Sequence, residues 1–459
     1  MKLKNWSFLL IILLVFYSSY GQKQEIDNQL YGTWNSIGYG QQLKISKKHA
    51  TLYDTYESVC NLNTKLPVAY LEEFYNLTKL TKDSLQLEVG FTKYNFIRSQ
   101  EAKPCTKNKN NPLSNFDALW QTFNENYAFF DLRTIDWKYI KRKYRKQLSK
   151  KSTDFELYKV LNEMISELND GHASIEIPES LESQIDENNK DSDDLRKKVI
   201  YAINQKYITE HKTYNKGLIN WGLVNDNVSY IQFNDFEDLA NYNISNDLTT
   251  EQFADEYWEK ADESVNYTKD VLVSFKEQME IIYDDIKNTK SCIIDVRFNG
   301  GGFDQVGLEI LSYFTNNKIM AFSKKARSGN GFTESQNIYI GPNGKNYKGS
   351  LYILTSPQTA SASEIFVLAS QSIENVITIG SNTEGILSDV LSKRLPNGWE
   401  YGLSNEVYLS VNGISYEKIG IPTNYDLDYV RDTKEFYNSL LLELKTKDRA
   451  IEKVIELSE

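Results

Sequence analysis

Residues that build metal centres are scarce in this chain. Its 459 residues include three histidines, His49, His172 and His211, and three cysteines. No two histidines have the spacing of a zinc-binding helix, and no two cysteines have the spacing of a structural metal site. Metal-dependent hydrolysis is therefore disfavoured, and we expect neither a metal nor a cofactor.

Positive charge is in deficit and long apolar runs are few. The formal net charge of −11 disfavours nucleic acid and anionic membrane surfaces as partners. The apolar run of residues 6–17 is short for a membrane span, follows two lysines and precedes small residues. Residues 1–21 are therefore predicted to be a secretory signal peptide, with an uncleaved anchor as the alternative. We expect an exported protein, periplasmic, cell-surface or secreted, without an integral membrane span after cleavage.

Export would permit disulfides, and the three cysteines differ in their surroundings. Cys292 lies within an apolar strand pattern and is expected to be an inert core thiol. Cys60 and Cys105 form a candidate disulfide that would tie the end of the amino-terminal segment to its middle. Because sequence does not show proximity, pairing and free thiols both stay open.

The chain is long enough for two or three domains with hydrophobic cores. Short alternating apolar stretches predict strands, and apolar residues at helical spacing predict helices. We therefore predict a small antiparallel β module in residues 22–107, a helical domain carrying His172 in 113–178, an acidic mobile connector in 179–225, an α/β domain in 226–435 and a C-terminal helix in 436–459.

One serine occupies a position suited to nucleophilic chemistry. Residues 359–364 read Thr-Ala-Ser-Ala-Ser-Glu, between the apolar strand pattern of residues 351–355 and the helical pattern of 365–369. Ser361 is thus predicted at a strand-to-helix turn, where free N–H groups and the helix dipole favour negative charge. The alternative is a capping box, in which Ser361 and Glu364 only complete the helix start.

A glycine-rich loop follows a second buried strand. Residues 291–297 are rich in β-branched side chains and run into Asn299 and three glycines, residues 300–302. Because glycine has no Cβ, successive N–H groups there can converge on an anion or a polarised carbonyl oxygen. Asp295, Arg297 and Asn299 are expected to hold this loop in shape.

Four segments together resemble the C-terminal processing peptidase and tricorn core protease family of serine peptidases. They are, in chain order, Asn169-Asp170-Gly171-His172, residues 295–302, residues 359–364 and residues 416–422. The resemblance covers roughly residues 113–430. It implies a crotonase-like or Clp-peptidase-like ββα catalytic domain, here preceded by the small antiparallel β module and the helical segment, where periodicity alone gives only α/β.

The resemblance also implies roles for particular residues. Ser361 would be the nucleophile, His172 the base and Glu417 the group that orients the base. The backbone N–H groups of Ala362 and of Gly301, or else Gly302, would stabilise the oxyanion. Without the family context, His172 could instead stabilise the end of a helix, with Gly171 as its left-handed cap.

Two positions depart from the family pattern. Many relatives use a lysine twenty-five residues after the serine, but that position is Ile386, and Lys393 has the wrong register in what looks like a solvated strand. This favours a Ser-His-Glu triad over a serine-lysine dyad. The tricorn branch also places a helper serine before its histidine, where this chain has Gly171; Ser388 or Ser174 could take that role, or no residue does.

The sequence thus predicts a secreted or periplasmic serine endopeptidase that cleaves peptides or unfolded protein segments through an acyl-enzyme. A catalytically silent peptide-binding relative and an esterase with the same triad are the alternatives. Many relatives carry a PDZ domain in the interval 179–225, and none is evident here. Substrate preference, oligomeric state and the role of the N-terminal β module do not follow from the sequence.

Overall fold

The computed structural model describes residues 27–57, 59–99, 110–185 and 190–459. The predicted signal peptide and Cys105 lie outside these ranges. Cys60 is disulfide-bonded, and Cys292 is a free thiol buried within a strand, as predicted. No helix of the described part of the chain is long and apolar enough to cross a membrane.

The N-terminal β module is one antiparallel sheet of seven strands in the order β4-β3-β2-β1-β7-β6-β5. Alternate side chains such as Leu85 and Leu87 point inward and pack with the fully buried Trp34, which explains the period-two pattern of the sequence. The strands are β1 (Gly32–Ser36), β2 (Gln41–Ile45), β3 (His49–Tyr56), β4 (Val59–Pro67), β5 (Asn76–Leu80), β6 (Ser84–Val89) and β7 (Thr92–Arg98), with a short helix α1 (Leu71–Phe74) before β5.

A helical segment follows, with its ends set by capping residues. The Asn111 side chain accepts the Ser114 N–H at the start of α2, and Thr153 forms a capping box with Glu156 at the start of α5. The apolar stripes of α2 and α5 are buried against each other and against strands near residue 400. The helices are α2 (Pro112–Asn126), α3 (Phe130–Arg133), α4 (Trp137–Arg145) and α5 (Asp154–Ser166).

The described residues of 179–225 do not form the mobile connector predicted from their acidic composition. After the short strand β8 (Ser174–Ile175), the helix α6 (Lys190–Tyr207) buries Val199 and Ile203 completely, and two strands of the main sheet follow. These two apolar residues are four positions apart and so lie on one face of α6, and that face packs against the main sheet. Composition averaged over the segment concealed that face.

The remaining strands form the main sheet and two smaller sheets. The main sheet has the order β21-β17-β16-β12-β11-β10-β9, parallel from β11 to β21 and antiparallel from β9 to β11. The strands are β9 (Thr209–Tyr214), β10 (Ile219–Asn225), β11 (Val228–Phe233), β12 (Ser291–Asp295), β13 (Ile319–Ser328), β14 (Gly331–Phe332), β15 (Gln336–Ile340), β16 (Ser350–Thr355), β17 (Val376–Gly380), β18 (Val390–Arg394), β19 (Glu400–Ser404), β20 (Glu406–Ser410) and β21 (Tyr425–Asp426).

Helices cover both faces of the main sheet, which gives the α/β architecture with a ββα catalytic domain. Ile294 packs on one face with α7, α8, α9 and α10, and its neighbour Ile293 packs on the other with α6, α11 and α12. The helices are α7 (Thr250–Glu263), α8 (Tyr267–Ile286), α9 (Asp304–Ser312), α10 (Ala362–Ser370), α11 (Thr433–Glu443) and α12 (Arg449–Ser458). One C-terminal helix was predicted, but the structure has two, α11 and α12, because the Asp448 carboxylate caps the N-terminus of α12.

Candidate active site

Ser361 lies between β16 and α10, at the turn predicted from the sequence. Its backbone has φ +56° and ψ −128°, a conformation that L residues rarely adopt and that costs about 1–3 kcal/mol. Ser361 and Glu364 have the arrangement of a capping box, and the Ser361 N–H donates to Glu364 Oε2 (3.3 Å). Within the capping box the Ser361 hydroxyl can only accept from the Glu364 N–H, which also donates to the Ser361 carbonyl oxygen (2.8 Å), so capping leaves the hydroxyl proton available.

The strained turn is held by the glycine-rich loop beside it. The Ala360 N–H and the Ser363 hydroxyl both donate to the carbonyl oxygen of Asn299 (3.1 and 2.8 Å). The Thr359 hydroxyl donates to the Val296 carbonyl oxygen (2.9 Å). These buried contacts join the two loops, and such over-determination is what keeps a strained residue in place.

Gly301 faces the serine directly. A Cβ atom on Gly301 would lie 2.7 Å from the Ser361 Cβ and 3.1 Å from its Oγ, and Gly301 has φ +122°, so only glycine fits. Its N–H donates to the Asn299 side-chain oxygen (2.8 Å) and is thereby engaged. The N–H groups of Gly302 and Ala362 donate to no acceptor in the described part of the chain.

Glu364 connects the serine helix to a second loop. Its carboxylate is fully buried and accepts the Thr383 hydroxyl (2.5 Å) and the N–H groups of Gly385 and Ile386 (both 2.8 Å). Burial raises the pKa of Glu364 to about 7, and the hydrogen bonds oppose this rise.

Glu417 holds the next two N–H groups of the same loop. Its Oε2 accepts the N–H groups of Leu387 (2.9 Å) and Ser388 (3.2 Å). Two carboxylates therefore bind four consecutive N–H groups of residues 385–388, which we call the strap. Burial raises the pKa of Glu417 to about 8. The negative charge of Asp170 adds to this rise, and the positive charge of Arg133 opposes it.

His172 follows α5 in a tight turn. Asn169, and not the Gly171 considered as a cap, has the left-handed conformation (φ +47°). The Asp170 carboxylate accepts the His172 N–H (3.0 Å). Burial lowers the pKa of His172 below its ordinary value, while Asp170 and the nearby Ser388 backbone act in the opposite direction. The ring is therefore neutral near pH 7 and able to accept a proton.

Arg133 joins the two acidic residues behind the histidine. Its Nη2 donates to Glu417 Oε1 (3.0 Å), and its Nε lies 3.4 Å from Asp170 Oδ2. The Tyr127 hydroxyl donates to the same Asp170 oxygen (2.7 Å). The sequence analysis assigned no role to Asp170 or Arg133. Asp170 lies in the histidine segment and could have been found, whereas nothing in the sequence distinguished Arg133.

The predicted triad shares a region but not a hydrogen-bond chain. The strap contacts Ser361 through Glu364, and Ile386 lies against Gly171, directly before His172. Among the described residues, no hydrogen bond joins His172 to Ser361 or to Glu417, and the buried His172 Nδ1 has no partner. Catalytic hydrogen bonds are often loose without substrate.

Two other candidates have different environments from those expected. The Ser388 hydroxyl donates to the Asp389 carbonyl oxygen (3.0 Å) and accepts the Glu406 N–H (3.1 Å), so its partners in this structure are within its own chain neighbourhood and β20. Lys393 was wrongly placed in a solvated strand: it is buried and paired with Asp54 (2.9 Å) of the N-terminal β module. The exposed Ser174 lies in β8.

Asp295 and Arg297 hold the loop in shape, as predicted. Arg297 donates to Asp295 (2.7 Å) and lies 2.9 Å from Asp448, and all three side chains are inaccessible to solvent. The Asn299 side chain donates to the Phe233 carbonyl oxygen (3.2 Å). These residues connect the glycine-rich loop to the sheet and to α12.

Comparison with known families agrees with this geometry. The sequence model of peptidase family S41 matches residues 227–427, which contain the glycine-rich loop, the serine turn and Glu417. The chain carries a peptidase family S41 domain. The model of the tricorn protease C1 domain matches residues 109–166, which contain helices α2 to α5. The S41 chain is thus a serine-type peptidase, related to the C-terminal processing peptidases and the tricorn protease as its motifs indicated.

Solved structures similar to this S41 chain include other peptidases. A putative peptidase from Parabacteroides merdae has a TM-score of 0.57 at 22% identity, over 76% of this chain and 97% of that chain. The photosystem II D1 C-terminal processing protease has a TM-score of 0.40 at 13% identity, over 72% and 97%. The tricorn protease has a TM-score of 0.42 at 14% identity, over 91% and 43%.

Proposed function

We propose that this S41 peptidase is an endopeptidase that cleaves peptides or unfolded protein segments with Ser361 as nucleophile and His172 as base. The observation that carries the proposal is the strained Ser361, held at the start of α10 against the glycine-rich loop. The unengaged N–H groups of Gly302 and Ala362 are the donors for the oxyanion. Gly301, whose N–H is bound by Asn299, shapes the loop instead.

The reaction follows from these groups. Ser361 Oγ attacks the scissile carbonyl carbon while its proton passes to the neutral imidazole of His172, and the carbonyl oxygen becomes the oxyanion. The carbon–nitrogen bond then breaks, the imidazolium returns the proton to the leaving amine, and an acyl-enzyme remains. Water, deprotonated by the same imidazole, hydrolyses the ester.

Glu417 supports the base indirectly in this proposal. It binds Arg133, which also contacts Asp170, and Asp170 holds the backbone of His172. The negative charge that raises the pKa of His172 is that of Asp170, and the positive charge of Arg133 lowers it. Substrate binding would bring the Ser361 hydroxyl and the ring into hydrogen-bond contact. We further propose that the protein is exported, on the sequence of residues 1–21.

Cleavage of unfolded protein and of matched esters tests the proposal. The full chain is incubated with an unfolded protein, with a quenched fluorescent peptide library and with simple esters. The same assays are run on Ser361→Ala and on the control Ser372→Ala, which lies two residues after the end of α10. Internal cleavage of peptides by the wild type and by the control, lost in Ser361→Ala, is the expected result. Ester turnover alone would favour an esterase, and no turnover would favour a silent peptide-binding relative.

A further inference from the structure

The N-terminal β module is joined to the peptidase domain through two buried polar clusters. One is formed by Asp54 and Lys393, the other by Tyr39 and Glu406. Buried charges are costly unless they are fully paired, so the parts joined by such clusters must keep the geometry that pairs them.

The first cluster satisfies every donor of a buried lysine. Lys393 Nζ donates to Asp54 Oδ1 (2.9 Å) and to the carbonyl oxygens of Tyr39 (2.6 Å) and Gly40 (2.8 Å). The Arg394 N–H donates to the other Asp54 oxygen (3.1 Å). Tyr39 has φ +62°, a strained conformation in the turn that presents these two carbonyl oxygens.

The second cluster reaches the strap. The Tyr39 hydroxyl donates to Glu406 Oε1 (2.6 Å), and Lys324 donates to Glu406 Oε2 (2.8 Å). The Glu406 N–H then donates to the hydroxyl of Ser388, the last residue of the strap (3.1 Å). Tyr39 is therefore two contacts away from the residue whose backbone lies beside the His172 ring.

Both anchors act on one short stretch of chain. Ser388 ends the strap, and β18, which carries Lys393, begins two residues later. The Ser388 N–H is bound by Glu417, and its hydroxyl is bound by the N–H of Glu406, whose carboxylate is held by Tyr39 of the N-terminal β module. The module thus constrains the same backbone that contacts the base.

We propose that the N-terminal β module is a positioning element of the peptidase site, with Tyr39 and Asp54 as its positioning residues. They hold residues 388–394 and thereby fix the strap against His172. The inference rests on the proposed function, because its rate measurement uses the reactivity of Ser361 and His172. The restraint on the strap is measured separately, by hydrogen exchange, and needs no catalysis.

Tyr39→Phe in the full chain tests this, because it removes one hydroxyl and keeps the ring. The matched control is Tyr313→Phe, which removes a tyrosine hydroxyl that donates to Glu280 (3.0 Å) away from the strap. The readouts are the second-order rate constant of labelling by a fluorophosphonate, its pH profile, and amide hydrogen exchange in residues 385–394. Asp54→Asn repeats the test at the other anchor.

We expect Tyr39→Phe to lower the labelling rate constant about tenfold, because small misplacements of catalytic groups are costly. The acid limb of the pH profile should move to lower pH, since the Ser388 backbone raises the pKa of His172. Exchange in the strap should quicken, and Tyr313→Phe should change none of these. Strap exchange in Tyr39→Phe equal to that in Tyr313→Phe and in the wild type would overturn the inference.

The two proposals fail in different ways. If the wild type is not labelled at Ser361, the proposed function falls, and the exchange measurement alone decides the inference. If the wild type is labelled but strap exchange in Tyr39→Phe equals that in Tyr313→Phe, the inference falls while the function stands. Should Asp54→Asn fail to fold, Tyr39→Phe still decides, because it leaves no buried charge unpaired.

Discussion

The side chain of Ile386 occupies the place next to Gly171 where a side chain on that glycine would begin. An ideal Cβ on Gly171 would lie 3.2 Å from Ile386 Cδ1 and 3.4 Å from its Cγ2. These are the two positions at which the sequence departs from its family, which has a lysine base or a helper serine there. The two departures are therefore neighbours in space: an apolar side chain lies beside a residue that has no side chain.

Gly171→Ala should destabilise the protein, because its methyl group would crowd Ile386. The expected cost is about 1 kcal/mol, since the neighbouring atom ends a flexible side chain and can move. Ile386→Val should relieve the crowding, so the two substitutions should be non-additive in a double-mutant cycle measured by urea unfolding. Strict additivity would show that the two side chains do not compete for space.

Replacement of Ser361 by glycine should be better tolerated than replacement by alanine. At φ +56° alanine keeps the backbone strain and glycine removes it, so Ser361→Gly should exceed Ser361→Ala in stability by about 1 kcal/mol. Thermal unfolding of both variants measures the difference. Equal melting temperatures, or a more stable alanine variant, would argue against the strained turn.

Asp54→Ala should be severely destabilising, because it leaves the buried Lys393 without its counter-ion. Loss of one partner of a buried pair costs about 3–5 kcal/mol, whereas replacement of both partners by apolar residues is often tolerated. The double variant Asp54→Leu with Lys393→Met should therefore be more stable than Asp54→Ala in urea unfolding. A double variant as unstable as the single one would contradict the pairing.

The pH profile of labelling should report the lowered pKa of His172. Because the neutral imidazole is the reactive form and burial lowers its pKa, the rate should stay high below pH 6.5 and fall only at lower pH. Asp170→Asn removes the charge that opposes this shift, so its profile should fall at still lower pH. A wild-type midpoint above pH 6.5, or an unchanged midpoint in Asp170→Asn, would contradict this assignment.

Local patterns predicted the site better than they predicted long-range contacts. The turn of Ser361 and the glycine-rich loop are local features, and residue spacing sufficed to place them. The partners of Lys393 lie more than 330 residues away in sequence, in a module that no local pattern connects to it. A lysine beside an arginine looks solvated unless that distant contact is known.

The support of the base was the hardest part to foresee. Glu417 was chosen by resemblance, but its contacts are with Arg133 and the strap, not with the histidine. Arg133 ends the short helix α3, in a stretch without a recognisable pattern. The α6 helix was missed for a related reason, since two buried residues in a charged segment decide its docking.

Covalent labelling mapped by mass spectrometry tests the central claim most directly. The wild type is treated with a fluorophosphonate at pH 7 and digested. Ser361→Ala and His172→Ala are treated in the same way, after their free energies of unfolding have been shown to equal that of the wild type. We predict one modified peptide with the adduct on Ser361, none in Ser361→Ala, and labelling slowed by at least about a hundredfold in His172→Ala. Labelling of another residue, or rapid labelling of Ser361 without His172, would contradict the account.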